Sequence, residues 1–180
     1  YFGKPCGLMD QMACSVGGLI HIDFKDPAEP VVSPVDVEFE KYDHSLCIVD
    51  TKGSHADLTD DYAAVPREMK QVAEFLGKPV LRMVEEKDFY EKIGEIREAY
   101  GDRAVLRAIH FFDENDRVDV QREALKKGDL ETYFAGVEGS GNSSEYNLQN
   151  IYPCCSASER SISLALTMAK KYGAPVLVKR

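Results

Sequence analysis

The sequence predicts an α+β protein, on three observations. One short helix-like stretch opens near residue 8, strand-like runs follow between residues 17 and 50, and amphipathic helical spacing then dominates up to a last apolar run at 176–178.

In the opening stretch Leu8, Met9, Met12, Ala13 and Val16 form an apolar stripe at helical spacing, and Gly17-Gly18 breaks it. Leu19-Ile20-His21-Ile22-Asp23-Phe24 then reads as a strand. A second covers residues 31–39, alternating in its latter half, with Asp26-Pro27 and Glu29-Pro30 punctuating between the two. Ser45-Leu46-Cys47-Ile48-Val49-Asp50 is predicted as a buried strand entering a loop at Thr51-Lys52-Gly53.

Leu58, Tyr62, Val65, Met69, Val72 and Leu76 recur in alternating steps of four and three, one face of a helix. Pro66 suits a first helical turn, so the helix is expected to start near Val65 and to end at Gly77-Lys78-Pro79. A second helix is predicted from Asp102 to Lys127, with Val105, Ile109, Phe112, Val120, Ala124 and Leu125 toward the core. Gly128 stops it and Asp129 caps a short helix carrying Leu130, Phe134 and Val137. A third runs from about Ser156 to Tyr172, with Ile162, Ala165, Leu166 and Ala169 on one face, before Gly173-Ala174-Pro175 stops it. The change from strands to helices places a domain junction near residue 40.

The 22 basic residues against 31 acidic ones leave a formal charge of −9, which repels phosphate backbones and anionic membranes. No basic stretch with interleaved aromatics offsets this, so neither nucleic acid nor membrane is an expected partner. A small anion stays compatible, because a local site can be positive on an acidic protein. No apolar run approaches the roughly 20 residues of a membrane span. Tyr1-Phe2-Gly3-Lys4-Pro5 has neither an initiator Met nor a secretory core, so the chain is expected to be an internal piece of a longer protein. Cys6, Cys14, Cys47, Cys154 and Cys155 lack metal-binding spacing and read as reduced, partly buried thiols of a cytoplasmic protein.

The stretch from Gly3 to Gln11 carries the most chemistry. Pro5 and Gly7 shape a turn that a ligand can approach closely, and Asp10 falls in the first turn of the helix that follows. A carboxylate there either complements the helix dipole or accepts a hydrogen bond from a sugar hydroxyl and orients it for attack on a phosphoryl group. Residues 138–144, Glu-Gly-Ser-Gly-Asn-Ser-Ser, read either as a nest of N–H groups for an anion or as a turn and cap between helices, the latter being the commoner use. His55, Asp57, Asp60 and Asp61 read as an acidic helix start, and no metal ligand set is assigned. His21, His44 and His110 read as isolated, and residues 85–88 as a solvated charged face.

Gly3-Lys4-Pro5-Cys6-Gly7-Leu8-Met9-Asp10-Gln11 resembles the stretch of galactokinases, sugar kinases of the GHMP type, that carries the family's catalytic aspartate. Asp10 matches that aspartate, and Gly7 matches a glycine lining the galactose pocket. The likeness continues through Ile22-Asp23, Cys47-Ile48-Val49 and Ser54-His55-Ala56-Asp57-Leu58 to Tyr62, which resembles the tyrosine that contacts the sugar. The spacing from Tyr62 to Pro66 is longer than in many members.

This resemblance implies a GHMP kinase-like fold, with residues 1–42 closing the N-terminal domain and 43–180 forming a truncated, helix-rich C-terminal domain. It implies ATP-dependent phosphorylation of galactose at the anomeric hydroxyl, with Mg2+, the ATP and metal sites lying mostly outside this chain. The family's phosphate loop would precede Tyr1 and its late glycine-rich motif would follow Arg180, so the chain alone is expected to be inactive. The family aspartate acts as a base or as an orienting charge, and both stay open. Gly141 stands where the family has a histidine in Ser-His-x-Ser-Leu, and Pro153-Cys154-Cys155 departs from the usual wording. Two other readings therefore stay open, a sugar sensor that signals through a partner and a kinase for a different sugar.

Overall fold

The computed structural model describes residues 7–26, 28–45, 47–51, 59–153 and 158–173. A short helix, α1 (Met9–Val16), leads into an antiparallel hairpin of β1 (Leu19–Asp23) and β2 (Val31–Val35), in which Leu19 pairs with Val35 and Asp23 with Val31. After a 3-10 turn at Phe39–Tyr42 the rest is helical. It comprises α2 (Thr59–Phe75), a 3-10 turn (Leu81–Met83), α3 (Glu86–Glu91), α4 (Ile93–Tyr100), α5 (Asp102–Lys127), α6 (Leu130–Ser143), a π-helical turn (Ser144–Leu148) and α7 (Ser161–Lys171). The α+β class holds, as a helix-rich body with one small sheet.

The long helix α5 is the hub. It packs against α2, α4, α6, the π-turn and β2. The main core gathers Val72 and Ala73 of α2, Leu81, Val84, Phe89 of α3, Ile96 of α4, and Ala104, Val105, Ala108 and Phe112 of α5. Phe89 is wholly buried and its ring meets that of Phe112 at 5.3 Å between centroids. A second, smaller cluster joins Ile151 to Ile162 and Leu166 of α7. The 3-10 turn at Phe39–Tyr42 is held on α6 by rings, Phe39 on Tyr133 at 5.8 Å and the nearby His44 on Phe134 at 4.9 Å.

The corner between α5 and α6 forms as the sequence predicts. Gly128 adopts the left-handed conformation (φ 70°), and the Asp129 amide donates back to the Ala124 carbonyl at 2.9 Å. The Asp129 carboxylate then accepts from the Thr132 amide at 3.0 Å and from its hydroxyl at 2.7 Å, capping α6. Asp129→Ala is expected to destabilise the chain modestly, read as a lower urea midpoint at unchanged slope.

Five expectations are corrected. α2 starts at Thr59, not near Val65, so Pro66 lies inside it. Pro66 is on the exposed face, whereas Ala64, Glu68, Val72 and Ala73 are buried. Tertiary packing of that inner face outweighs one lost backbone bond. Cys47–Asp50 forms no strand, and Ile48 and Val49 are exposed at 95% and 74%. Among the described residues no strand lies beside this segment, and without a ladder an apolar run has nothing to hold it extended. Val120 is exposed, and α5 buries no residue between Phe112 and Ala124. The thiols of Cys14 and Cys47 are free and exposed rather than partly buried. α7 starts at Ser161 rather than near Ser156, because residues 158–160 just before it are not helical and Arg160 leaves the helical conformation. Leu46, Leu58, Ser156 itself and the strand expected at 176–178 lie outside the described residues.

Candidate functional site

Asp10 sits in the first turn of α1 with its side chain exposed. Leu8 precedes the helix and gives it no side-chain cap, its carbonyl accepting from the Met12 amide at 3.0 Å. The carboxylate therefore stands at the end of the helix where partial positive charge collects. Gly7, also exposed, has open space where a Cβ would stand, so packing within the described chain does not demand a glycine there. Lys4, Pro5 and Cys6 lie outside the described residues.

Tyr62 is half-buried in the first half of α2. α1 packs chiefly on β1, whereas α2 packs on α4, α5 and the Leu81–Met83 turn. Gly7 and Asp10 thus come together at one helix start, and Tyr62 stands on an element with different neighbours. An open depression of about 450 Å³ runs along the outer side of α2 past Ala63, Pro66, Arg67 and Lys70, and none of the three predicted site residues lines it.

A polar seam along α5 is the feature that sequence reasoning missed. Arg103, Arg107, His110, Glu114, Arg117 and Gln121 recur at three- and four-residue steps, so they share one side of the helix. Glu68 of α2 accepts from both arginines at the first end, 2.5 Å from Arg103 Nη2 and 2.8 Å from Arg107 Nη1. Arg107, only 2% exposed, also donates through Nε to the Leu148 carbonyl at 3.1 Å. His110 Nδ1 lies 2.8 Å from Ser143 Oγ, Ser140 Oγ donates to Glu114 at 2.7 Å, and Glu114 pairs with Arg117. At the far end two glycines of α6 face side chains of α5. A Cβ at Gly139 would lie 2.9 Å from Arg117 Nε, and one at Gly136 would lie 2.5 Å from Gln121 Cγ.

The glycine-rich segment 138–144 is therefore neither an anion nest nor a turn. It is helix up to Ser143, its small residues letting α5 lie close. His110 is not isolated. Burial, the largest influence, pushes its pKa below the usual histidine value, against the pull of Glu114 and Asp113. His21 also has a neighbour, with Nε2 3.9 Å from Asp119. The clue in the sequence was a polar run at helical spacing opposite a run of Gly and Ser, visible only once α5 and α6 are known to be antiparallel neighbours.

Asp60 and Asp61 occupy the first turn of α2, as expected of an acidic helix start, while His55 and Asp57 lie outside the described residues. Among the described residues no three His, Cys, Asp or Glu side chains gather as a metal site. Backbone amides of residues 138–143 belong to a helix and cannot cradle a phosphate. No described helix is long and apolar enough to cross a membrane.

No protein-family model matches the chain. Among curated proteins, the galactokinase of Thermotoga petrophila is 32% identical over 132 residues, covering 73% of this chain and 35% of that protein. The galactokinase of Actinobacillus pleuropneumoniae serotype 5b is 29% identical over 143 residues, 79% of this chain and 36% of its own length. That of Glaesserella parasuis serovar 5 is 30% identical over 131 residues, 73% and 33% respectively. The chain spans about a third of the length of the curated relatives it matches. By these matches the chain is similar to a stretch of galactokinases, and reads as a galactokinase-like piece of protein.

Proposed function

We propose that a protein carrying this stretch phosphorylates galactose at its anomeric hydroxyl, with ATP as donor and Mg2+ as the metal, in the cytoplasm. The similarity to galactokinases over about three-quarters of the chain carries this reading. The proposed fold is GHMP kinase-like, with residues 1–42 closing one domain and 43–180 belonging to the next.

The part played by these residues is on the sugar side. An exposed carboxylate accepts hydrogen bonds only, so Asp10 would take the bond donated by the anomeric hydroxyl, fixing its oxygen or removing its proton. Gly7, beside it and free of packing demands, would let the sugar approach the backbone closely. Tyr62 would contact the ring from α2. Phosphoryl transfer rests on positioning and charge, to which a fixed acceptor contributes. No step is assigned to residues that would hold ATP or Mg2+.

The test is an assay of ATP-dependent phosphorylation by a galactokinase-length protein carrying these residues, with galactose beside glucose, mannose and N-acetylgalactosamine. Galactose 1-phosphate is the expected product. Turnover of another sugar in preference to galactose, or binding of galactose and ATP without turnover, would overturn the proposal.

A further inference from the structure

The π-helical turn Ser144–Leu148 is a wider winding than the helix it continues, a form that occurs mostly as single turns and needs local support. It ends at Gln149 with φ 57°, a left-handed conformation uncommon in a residue with a side chain. Two side chains of α5 hold its ends. His110 Nδ1 meets Ser143 Oγ at 2.8 Å just before the turn, and Arg107 Nε donates to the carbonyl of Leu148, its last residue. Ser143 and Ser144 are both buried at 7% exposure, and His110 at 9%.

These two tethers differ in kind. Arg107 stays charged at any ordinary pH and is balanced by Glu68. The charge of His110 changes within the range that proteins meet. We propose that the π-turn is a latch on α5, closed while His110 is neutral and released when the imidazole takes up a proton.

A neutral imidazole either accepts from the Ser143 hydroxyl or donates to it, according to tautomer. The imidazolium can only donate, and it brings a charge into a buried site. The charged groups acting on His110 are Glu114 and Asp113, which favour the proton, and Arg117, which opposes it, all on α5. From α6 and the turn, Ser143 faces it, with Asn147 Nδ2 3.5 Å from the same hydroxyl, and neither titrates. Glu68 on α2 is engaged by Arg103 and Arg107. Burial outweighs both the two acids and the hydrogen bond to Ser143, which also favours the proton, so the folded pKa lies below the unfolded value of about 6.5, and it is the buried charge rather than loss of that bond that loosens the turn. The His110 contribution to stability is thus complete above about pH 6.5 and is lost as pH falls through the folded value. The latch stands independently of the sugar site.

The test uses the 180-residue chain, following the His110 ring and the amide exchange of residues 145–149 by NMR between about pH 7.5 and pH 5. After correction for intrinsic rates, exchange in the turn is expected to rise by about tenfold or more in step with His110 protonation, while amides around Phe89 and Ile96 hold. His110→Gln, which keeps a polar group for Ser143 and cannot charge, is expected to leave the turn protected throughout. Ser143→Ala, which keeps the imidazole, is expected to leave it fast at both ends of the range and decides the matter if His110→Gln does not fold. Turn protection that stays level while His110 titrates, or that falls equally in His110→Gln, overturns the proposal.

Discussion

Asp10→Ala, made in a galactokinase-length protein carrying this stretch, is expected to lower kcat for galactose phosphorylation by about 10²–10⁴-fold, the usual range for losing a general acid or base. Its stability is expected to fall by no more than about 1 kcal/mol, because the side chain is exposed, α1 buries no residue and the main loss is a favourable charge at the helix start. Such a split separates chemistry from folding. Asp10→Asn divides the two roles, since its amide oxygen still accepts a hydrogen bond but cannot take a proton. A rate near that of the alanine variant marks a base, and a rate near wild type marks an orienting acceptor. If Asp10→Ala turns over normally the carboxylate has no part in the reaction, and if it raises only the KM for galactose the carboxylate binds ground and transition states alike and does not promote the chemical step.

Glu68→Gln is expected to destabilise the chain by about 3–5 kcal/mol, read from urea unfolding. Glu68 bridges Arg103 and Arg107, and Arg107 is 2% exposed and cannot turn to water. Removing the carboxylate leaves a buried guanidinium without its balancing charge, which costs far more than one hydrogen bond. Arg103 is 40% exposed along its side chain and can re-solvate. The double change Glu68→Leu with Arg107→Met removes both charges, so it is expected to be milder than Glu68→Gln alone. A loss below about 1 kcal/mol for the single change would mean that water already reaches the pair.

Local chemistry was legible in the sequence, and tertiary pairing was not. The C-terminal end of α5 and its Gly128-Asp129 corner follow from stop and cap chemistry that acts within a few residues. The buried face of α7, Ile162 and Leu166, follows from spacing alone. α3 and α4 escaped notice because their buried residues, Phe89 and Ile96, are set among charges that dilute the helical spacing. The segment at Cys47–Asp50 has the composition of a buried strand, yet a strand also needs a neighbour to pair with. For the candidate site the division is similar. Asp10 was placed in a first helical turn by its immediate sequence, whereas the relation of Tyr62 to it depends on how α1 and α2 are carried by other elements. The seam of Arg107, His110 and Glu114 was hidden for the same reason, since each partner lies 26 or more residues away.

The two-residue corner between α5 and α6 also bears on the order in which the chain folds. Bringing α6 back along α5 closes a very short loop and costs little chain entropy, whereas seating the β1–β2 hairpin on α5 closes a far longer one. The α5–α6 hairpin is therefore placed to act as the nucleus, with the strands docking after the rate-limiting barrier. Substitutions along that helix pair would then slow refolding, and those in the hairpin would chiefly speed unfolding.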